Sequence, residues 1–314
     1  MVRSAARGRS RPGHVLRGAA GAGALALLAA CSASSTSGHP PAATRAAAHT
    51  TSPMPEMSSS MPMASPSMAM GGGALPAGAA DMRVAITAPA PGARVTGNSV
   101  TVRVRVTGYT DTCALAGKHV MGMQAAATGH YHVLLDGSLI NMFCTPAAVV
   151  SLQNVQPGIH TLTVVPALDD HAQVDASARS VRFDYAPAAP LPALAAATAA
   201  GRPAIAIVAP APGATVTGTF TVAVRITGYR NSCALFGKPN LPGWGHWHLN
   251  LDTATGGMMG MGGMLGMSCT STIRASTAGL KPGSTHTLIA LLVDNMHVPL
   301  MPLIAAQVRV RIGK

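Results

Sequence analysis

Two pairs of histidines at alternate positions are the residues of this chain best suited to chemistry: His130 and His132, and His246 and His248. In an extended strand, side chains alternate between two faces, so both imidazoles of a pair project from one face, about 6.5 Å apart. Imidazole nitrogens are common ligands of transition-metal ions, and two at this spacing can reach one ion. The alternative is a structural role, in which the histidines serve packing or hydrogen bonding.

The same alternation predicts which way each strand faces. Tyr131 and Val133 share the opposite face in the first segment, and Trp247 and Leu249 do so in the second. Aromatic and aliphatic side chains of this kind form the natural core face of a strand. We therefore expect the paired histidines to face away from the main core, where they can meet water, a metal ion or a partner.

Two imidazoles leave a metal site incomplete, and the sequence offers further ligands near each pair. Met142 and Met267 each precede a cysteine by two residues, and His171 and His297 follow other histidines by eleven residues. Two imidazoles with one thioether favour copper, whereas three imidazoles suit copper or zinc. The candidate metal ligands are therefore His130, His132, His171, Met142, His246, His248, His297 and Met267.

Two acids and two further histidines are expected to be structural. Asp136 and Asp252 lie four residues beyond the histidine pairs, about 13 Å along an extended strand, and Asp136 begins an Asp-Gly hairpin turn. His160 and His286 share a strand face with core aliphatic residues, which predicts a local hydrogen bond to a backbone carbonyl.

Methionines are concentrated in two further segments. Six lie between Met54 and Met70 in a Pro/Ser-rich background, and others fill a Gly/Met loop, residues 256–267, inserted after the second histidine pair. Thioethers are soft ligands that suit Cu(I). Compositional drift or an oxidant sink would equally explain the first segment, and docking of a flexible apolar loop would explain the second.

The N-terminus reads as a bacterial lipoprotein leader. Residues 1–30 combine a basic segment ending at Arg17 with an apolar run, Gly18 to Ala30, that is too short to cross a membrane as a helix. The run ends in Leu-Ala-Ala before Cys31, so we expect lipidation of Cys31 and attachment to the outer face of the cell membrane. An ordinary secretory signal is the alternative.

Lipidation of Cys31 leaves four cysteines, which occupy matching positions in two repeats: Cys113 and Cys144, and Cys233 and Cys269. Outside the cytoplasm, matched pairs of this kind indicate one disulfide in each repeat. Thiolate metal ligation is disfavoured because the chain has no closely spaced cysteine pair.

An internal repeat determines the predicted fold. The segment Ala-Pro-Ala-Pro-Gly-Ala occurs at 88–93 and again at 209–214, and each copy is followed by alternating runs of Val, Thr and Arg. Each repeat is about 105 residues long, and its pattern indicates six or seven short strands. This pattern predicts an immunoglobulin-like antiparallel β-sandwich. We therefore predict an all-β protein with a leader (1–30), a disordered tether (31–80), two sandwiches (81–187 and 203–314) and a linker (188–202) that contains a short helical turn.

Charge and motifs exclude several functions. The net charge is +12, and removal of the five leader arginines leaves 17 basic and 10 acidic residues, or +7. Without Lys/Arg clusters this excess argues against nucleic acid as a partner. The sequence has no nucleophile elbow, paired-carboxylate arrangement or phosphate loop, so we do not expect an enzyme.

Each repeat also resembles a bacterial domain family of unknown function found in secreted proteins. The pattern of that family is Gly-His-x-His, an aliphatic pair and Asp, then Pro-Gly-x-His-x-Leu and Asp-x-x-His. The second repeat has all of it, with one extra residue before His286: Gly245, His246, His248, Asp252, Pro282, Gly283, His286, Asp294 and His297. The first repeat has Leu168 at the place of Asp294, with acids at Asp169 and Asp170. The resemblance implies a secreted β-domain and brings no known activity, and the departure leaves open whether the first repeat keeps a working site or has a site of shifted geometry.

These observations favour a lipid-anchored extracytoplasmic binding protein that captures copper, with zinc as the alternative ion. The competing hypothesis is a structural or adhesive module that contacts a component of the cell envelope and has no role in metal binding.

Overall fold

A computed structural model of the chain describes residues 75–118, 127–254 and 263–314. The leader, Cys31, the methionine-rich tether and most of the Gly/Met loop lie outside the described residues. Within the described ranges the chain is all-β, and its few helical segments are single 3-10 turns of three residues. None of the described helices is long and apolar enough to span a membrane.

The first repeat forms two facing sheets from nine strands, seven of which have five or more residues. One sheet has the order β1-β3-β7, and the other has the order β2-β9-β8-β5-β4, with β6 paired to β5. The strands are β1 (Arg83–Ala88), β2 (Ala93–Val95), β3 (Ser99–Thr107), β4 (Thr110–Asp111), β5 (Thr128–Leu135), β6 (Ser138–Phe143), β7 (Ala147–Ser151), β8 (Gly158–Ala167) and β9 (Arg179–Tyr185).

The second repeat has the same topology, with sheets β10-β12-β16 and β11-β18-β17-β14-β13 and with β15 paired to β14. The predicted pair of antiparallel sandwiches is thereby confirmed. The strands are β10 (Ala204–Ala209), β11 (Thr215–Val216), β12 (Thr219–Thr227), β13 (Arg230–Asn231), β14 (Trp244–Leu251), β15 (Met264–Ser268), β16 (Thr272–Ser276), β17 (Thr285–Val293) and β18 (Ala305–Ile312).

Strand alternation builds each core as the sequence predicts. In β3, Val102 and Val104 are buried while Thr101 and Arg103 between them are exposed. On β14, Trp247 is completely buried and its indole N–H donates to the carbonyl of Thr270 at 2.7 Å. Burial of a large apolar side chain stabilises the fold by roughly 1.5–3 kcal/mol, so these alternating positions fix the register of the strands.

One disulfide closes each repeat, as predicted. Cys113 bonds Cys144 and Cys233 bonds Cys269, with Cα atoms 5.6 and 5.2 Å apart. The sequence separations of 31 and 36 residues correspond to about 3–4 kcal/mol of stabilisation in the loop-entropy account. Each bridge ties the loop that follows β4 or β13 to the end of β6 or β15.

The segment that joins the repeats contains no helix, so the predicted helical turn is wrong. Residues 186–203 form neither helix nor strand, because hydrogen bonds to both repeats hold the segment extended. Asn154 of the first repeat exchanges two hydrogen bonds with Leu194, at 2.8 and 2.9 Å. In the second repeat, the indole N–H of Trp244 donates to the carbonyl of Ala195 at 3.0 Å.

Packing also begins before the first strand. Ala79 and Met82 are completely buried, so the last residues assigned to the tether already belong to the sandwich. A 3-10 turn, Ala79–Asp81, leads from this point into β1.

The two repeats are packed against each other. Ala116, Leu139 and Met142 of the first repeat form one buried cluster with Met264 of the second. Lys118 extends from the first repeat and donates hydrogen bonds to the carbonyls of Ser276 and Ala278 in the second, at 2.7 and 2.8 Å. This interface covers the face of each sheet that carries the paired histidines.

Candidate metal centres

Strands β5 and β14 present the paired histidines on one face, as the alternation predicts. His130 and His132 lie opposite to the face of Tyr131, and His246 and His248 lie opposite to that of Trp247. All four imidazoles are nevertheless 0% exposed. The expectation that they meet water is wrong, because strand alternation reports only the core of their own sandwich, and the other repeat covers the outer face.

A third imidazole joins each pair from the turn that follows the neighbouring strand β8 or β17. His171 and His297 have left-handed backbone conformations, with φ of 69° and 67°, which turn the chain back towards the pair. In the first repeat the Asp170 carboxylate accepts the N–H of Ala172 at 3.0 Å. In the second repeat, the Asp294 carboxylate accepts the N–H groups of Met296 and Val298.

The departure of the first repeat from the family pattern therefore has little effect. The acid in that motif supports a turn, and Asp170 fills this role although Leu168 occupies the place of Asp294. The departure does not remove the candidate ligands of the first site, since both repeats assemble the same group of three imidazoles. The two groups are His130, His132 and His171, and His246, His248 and His297.

The ligand atoms of each group converge on one point. In the second repeat, Nε2 of His246 lies 3.1 Å from Nε2 of His248 and 2.9 Å from Nδ1 of His297, and the third edge is 3.4 Å. In the first repeat, Nε2 of His130 lies 3.1 Å from both Nε2 of His132 and Nδ1 of His171. We call these groups the first and second tri-histidine sites.

The triangles fit a transition-metal ion with an open coordination position. Bonds of about 2.0–2.1 Å to three nitrogens at tetrahedral angles require nitrogen–nitrogen edges of roughly 3.3 Å, and the edges of the second site are 2.9 to 3.4 Å. An ion would sit just above the plane of the nitrogens, leaving a fourth position. No cysteine or carboxylate belongs to either group in the described ranges.

Hydrogen bonds fix one imidazole of each site in the tautomer that a metal requires. Nε2 of His171 donates to the carbonyl of Met264 at 2.7 Å, and Nε2 of His297 donates to that of Leu139 at 2.9 Å. The hydrogen on Nε2 leaves a lone pair on Nδ1, which points to the centre of the site. Metal-binding histidines commonly donate their other N–H to a carbonyl in this way.

Burial keeps the imidazoles neutral. It lowers the pKa of His132 to about 3, with a further contribution from His171 and from His297 of the other repeat. Burial lowers the pKa of His297 to about 4. The pKa values of His130 and His246 also lie well below 6.5, because of burial and the neighbouring imidazoles. At neutral pH these four imidazoles therefore offer lone pairs and carry no positive charge.

The two methionines predicted as ligands lie on the strands next to the histidine pairs. Met142 on β6 pairs directly with His132, and Met267 on β15 pairs directly with His248. Residues directly opposite each other on adjacent strands project to the same face of a sheet. Each methionine therefore shares the face of its histidine pair, and both lie in or against the buried cluster between the repeats.

Two residues that contact the sites could not be found from the sequence. The ring of Phe236 lies 4.2 Å from that of His246 between centroids and covers the second site, whereas Ala116 takes the equivalent place in the first repeat. Gln173 contacts Nδ1 of His132 at 2.8 Å through its side-chain amide. For Nε2 of His132 to bind an ion, Nδ1 must carry the hydrogen, which the amide oxygen accepts once the group is rotated. Neither the spacing nor the periodicity of the sequence marks Phe236 or Gln173 as a neighbour of the sites.

Among the described residues, the two histidines outside these sites, His160 and His286, support turns. Nδ1 of His160 contacts Asp136 at 2.7 Å and its Nε2 contacts the carbonyl of Gln156 at 2.8 Å, so the predicted carbonyl bond is confirmed. Asp136 has φ of 51° in the turn between β5 and β6, as predicted. Because the same acid also accepts a backbone N–H of β8, the pair ties this turn to the neighbouring strand.

In the second repeat the equivalent histidine contacts a serine hydroxyl, so the predicted carbonyl bond is wrong for His286. His286 bonds Asp252 at 2.7 Å and contacts Oγ of Ser284 at 2.8 Å. Ser284 donates its hydroxyl hydrogen to the carbonyl of Lys281 at 2.5 Å, which directs that hydrogen away from the imidazole. The chain of contacts therefore supports the turn before β17.

No protein-family model matches the chain, and none of the curated proteins matches it. Among solved structures, the chain is similar to the fibronectin(III)-like modules of CbhA from Clostridium thermocellum, at 13% identity over 73% of this chain and 94% of that chain, with a TM-score of 0.23. It is also similar to the N-terminal four Ig domains of Dscam1 isoform 6.9, at 9% identity over 74% of this chain and 46% of that chain, with a TM-score of 0.21.

Proposed function

We propose that the chain binds two Cu(I) ions, one at each tri-histidine site. The supporting observation is the convergence of three buried imidazole nitrogens, 2.9 to 3.4 Å apart. Three nitrogens at this spacing can each direct a lone pair at one ion, so a cation bound between them would be held by all three at once.

The charge of the ligand set favours a monovalent ion. Three imidazoles carry no charge, so the site with its ion would have the full charge of the ion in a buried position. The free energy of burying a charge rises with the square of that charge, so a divalent ion costs about four times as much as a monovalent one. Cu(I) is the monovalent transition-metal ion that imidazole and thioether ligands bind.

The methionines beside the sites favour the same ion. Met142 and Met267 are the directly opposite neighbours of His132 and His248, and a thioether in the fourth position selects a soft ion. Zn(II) suits three imidazoles but gains little from a thioether. The choice between these ions is thus set by the fourth ligand and the net charge.

The leader sequence supports a location outside the cytoplasm. Lipidation of Cys31 would hold the chain at the outer face of the cell membrane, and several acyl chains on one residue give stable attachment. The methionines between Met54 and Met70 would then lie on a tether between the membrane and the tri-histidine sites. The role that follows is capture of copper at the cell surface, with a purely structural envelope module as the competing function.

Titration of residues 32–314 with Cu(I) and Zn(II), each against a chromophoric competitor and without oxygen, tests the proposal. We expect two Cu(I) ions per chain, which about a tenfold excess of Zn(II) does not displace. The control variant lacks residues 54–70 and should still bind two ions. Tighter binding of Zn(II) would reject copper but keep the metal sites, and no binding tighter than about 1 mM for either ion would leave the envelope module.

A further inference from the structure

The third histidine of each tri-histidine site is oriented by the other repeat. His171 belongs to the first repeat and bonds the carbonyl of Met264 on β15. His297 belongs to the second repeat and bonds the carbonyl of Leu139 on β6. The two bonds are reciprocal, so each site depends on the opposite repeat for the orientation of its third imidazole.

A glycine in each repeat makes room for the carbonyl of the other. A Cβ atom added at Gly117 would lie 2.2 Å from the Met264 carbonyl oxygen, and one added at Gly237 would lie 2.2 Å from that of Leu139. Only a residue without a side chain lets these carbonyls approach. We call the four residues Gly117, Met264, Gly237 and Leu139 the carbonyl clasp.

The same glycines are bonded to the turns that carry the third histidines. The N–H of Gly117 donates to the carbonyl of Asp169 at 2.6 Å, and the N–H of Gly237 donates to that of Asn295 at 2.8 Å. Asp169 and Asn295 each precede the third histidine by two residues. Each glycine therefore links the turn that carries His171 or His297 to the backbone carbonyl of the opposite repeat.

We propose that the carbonyl clasp couples the two sites, so that an ion bound at one strengthens binding at the other; this inference rests on the proposed metal binding. An ion at the first site holds His171 in the tautomer that donates to the Met264 carbonyl. This hydrogen bond holds the first residue of β15 in place. Strand β15 pairs with β14 and places Met267 opposite His248, so the second site becomes better ordered. The reverse path runs from His297 through Leu139 and β6 to Met142 and His132, and linkage requires both effects to be equal.

Glycine substitutions test the clasp with matched controls in the full mature chain. Gly117→Ala introduces a Cβ against the Met264 carbonyl at a position with φ of 71°, whereas Gly92→Ala adds one at φ of 73° with nothing within 4 Å. Gly237→Ala and Gly213→Ala form the equivalent pair, with φ of 65° and 76°. The two glycines of each pair have left-handed φ values within about 11° of each other and differ in the contact with the opposite carbonyl.

In Cu(I) competition titrations, we expect the unaltered chain to bind its second ion about 5- to 150-fold more tightly than independent sites would allow. Gly117→Ala and Gly237→Ala should weaken binding about 10- to 100-fold, as loss of an outer hydrogen bond to a ligand does, and should abolish the cooperativity. The Gly92→Ala and Gly213→Ala variants should behave as the unaltered chain.

A clasp variant that fails to fold would also lose binding. A second variant that leaves the clasp unchanged therefore separates misfolding from loss of coupling. His246→Ala/His248→Ala removes only the second site, and we expect the first site of this variant to bind Cu(I) at least about 5-fold more weakly than in the unaltered chain. Two ions bound independently, with the remaining first site unaffected, would overturn the coupling and leave the proposed function intact. Absence of Cu(I) binding by the unaltered chain would overturn the proposed function itself.

Discussion

The double variant His246→Ala/His248→Ala is expected to bind one metal ion where the unaltered chain binds two. The substitution removes two of the three nitrogens of the second site, whose edges are 3.1, 2.9 and 3.4 Å. Loss of an outer hydrogen-bond partner alone weakens metal sites about 10- to 100-fold, so loss of two ligands should weaken this site by more than about 100-fold. Equilibrium dialysis with metal analysis gives the number of ions directly.

The matched control for this variant is His286→Ala. His286 is an imidazole of the same repeat, paired with Asp252 and outside the tri-histidine site. We expect this variant to bind two ions with unchanged affinity, although it loses the support of a turn. If the double variant also retained two ions at the original affinity, the second tri-histidine site would be rejected as a metal centre.

The metal-free chain is expected to lose stability steeply as the pH falls from about 6.5 towards 4. The pKa of His132 is lowered to about 3 and that of His297 to about 4, whereas histidines in an unfolded chain titrate near 6.5. Between these values the unfolded chain binds protons that the folded chain excludes, so the free energy of unfolding decreases as protons are added. The stability is fully present above pH 6.5 and is lost on acidification.

The effect is large because several buried histidines act together. Each excluded proton lowers the free energy of unfolding by about 1.4 kcal/mol per pH unit, and five of the six site imidazoles have a lowered pKa. Net stabilities of domains are only about 5–15 kcal/mol. Urea unfolding midpoints of the metal-free chain, measured from pH 7.5 to 4.5, check this prediction. A midpoint that does not change with pH would show that the imidazoles are not buried.

Much of the fold could be predicted because its signals are local. Alternation in β5 and β14 identifies the face of Tyr131 and Trp247 as core, and matched cysteines identify both disulfides. The candidate ligands from the sequence also included His171 and His297, since their equal spacing in both repeats marked them as equivalent. These predictions depend on periodicity and repetition, which a single sequence contains.

The covering of the sites could not be predicted because it depends on how the repeats pack. Alternation placed His130 and His246 outside their own cores, but the opposite repeat buries them completely. The carbonyls of Met264 and Leu139 that orient the third histidines belong to the backbone, so no residue type marks them. The support of a turn by Asp170 was not apparent either, because Leu168 occupies the position where the family pattern has its acid.

Copper K-edge X-ray absorption of the chain loaded with two Cu(I) ions tests the central claim most directly. The sites predict that nitrogen scatterers at about 2.0 Å with the outer-shell pattern of imidazole dominate, joined by at most one sulfur at about 2.3 Å per ion. This result would place the ions at His130, His132 and His171 and at His246, His248 and His297. A spectrum with sulfur scatterers alone would place the ions on the methionine-rich segments and contradict the tri-histidine sites.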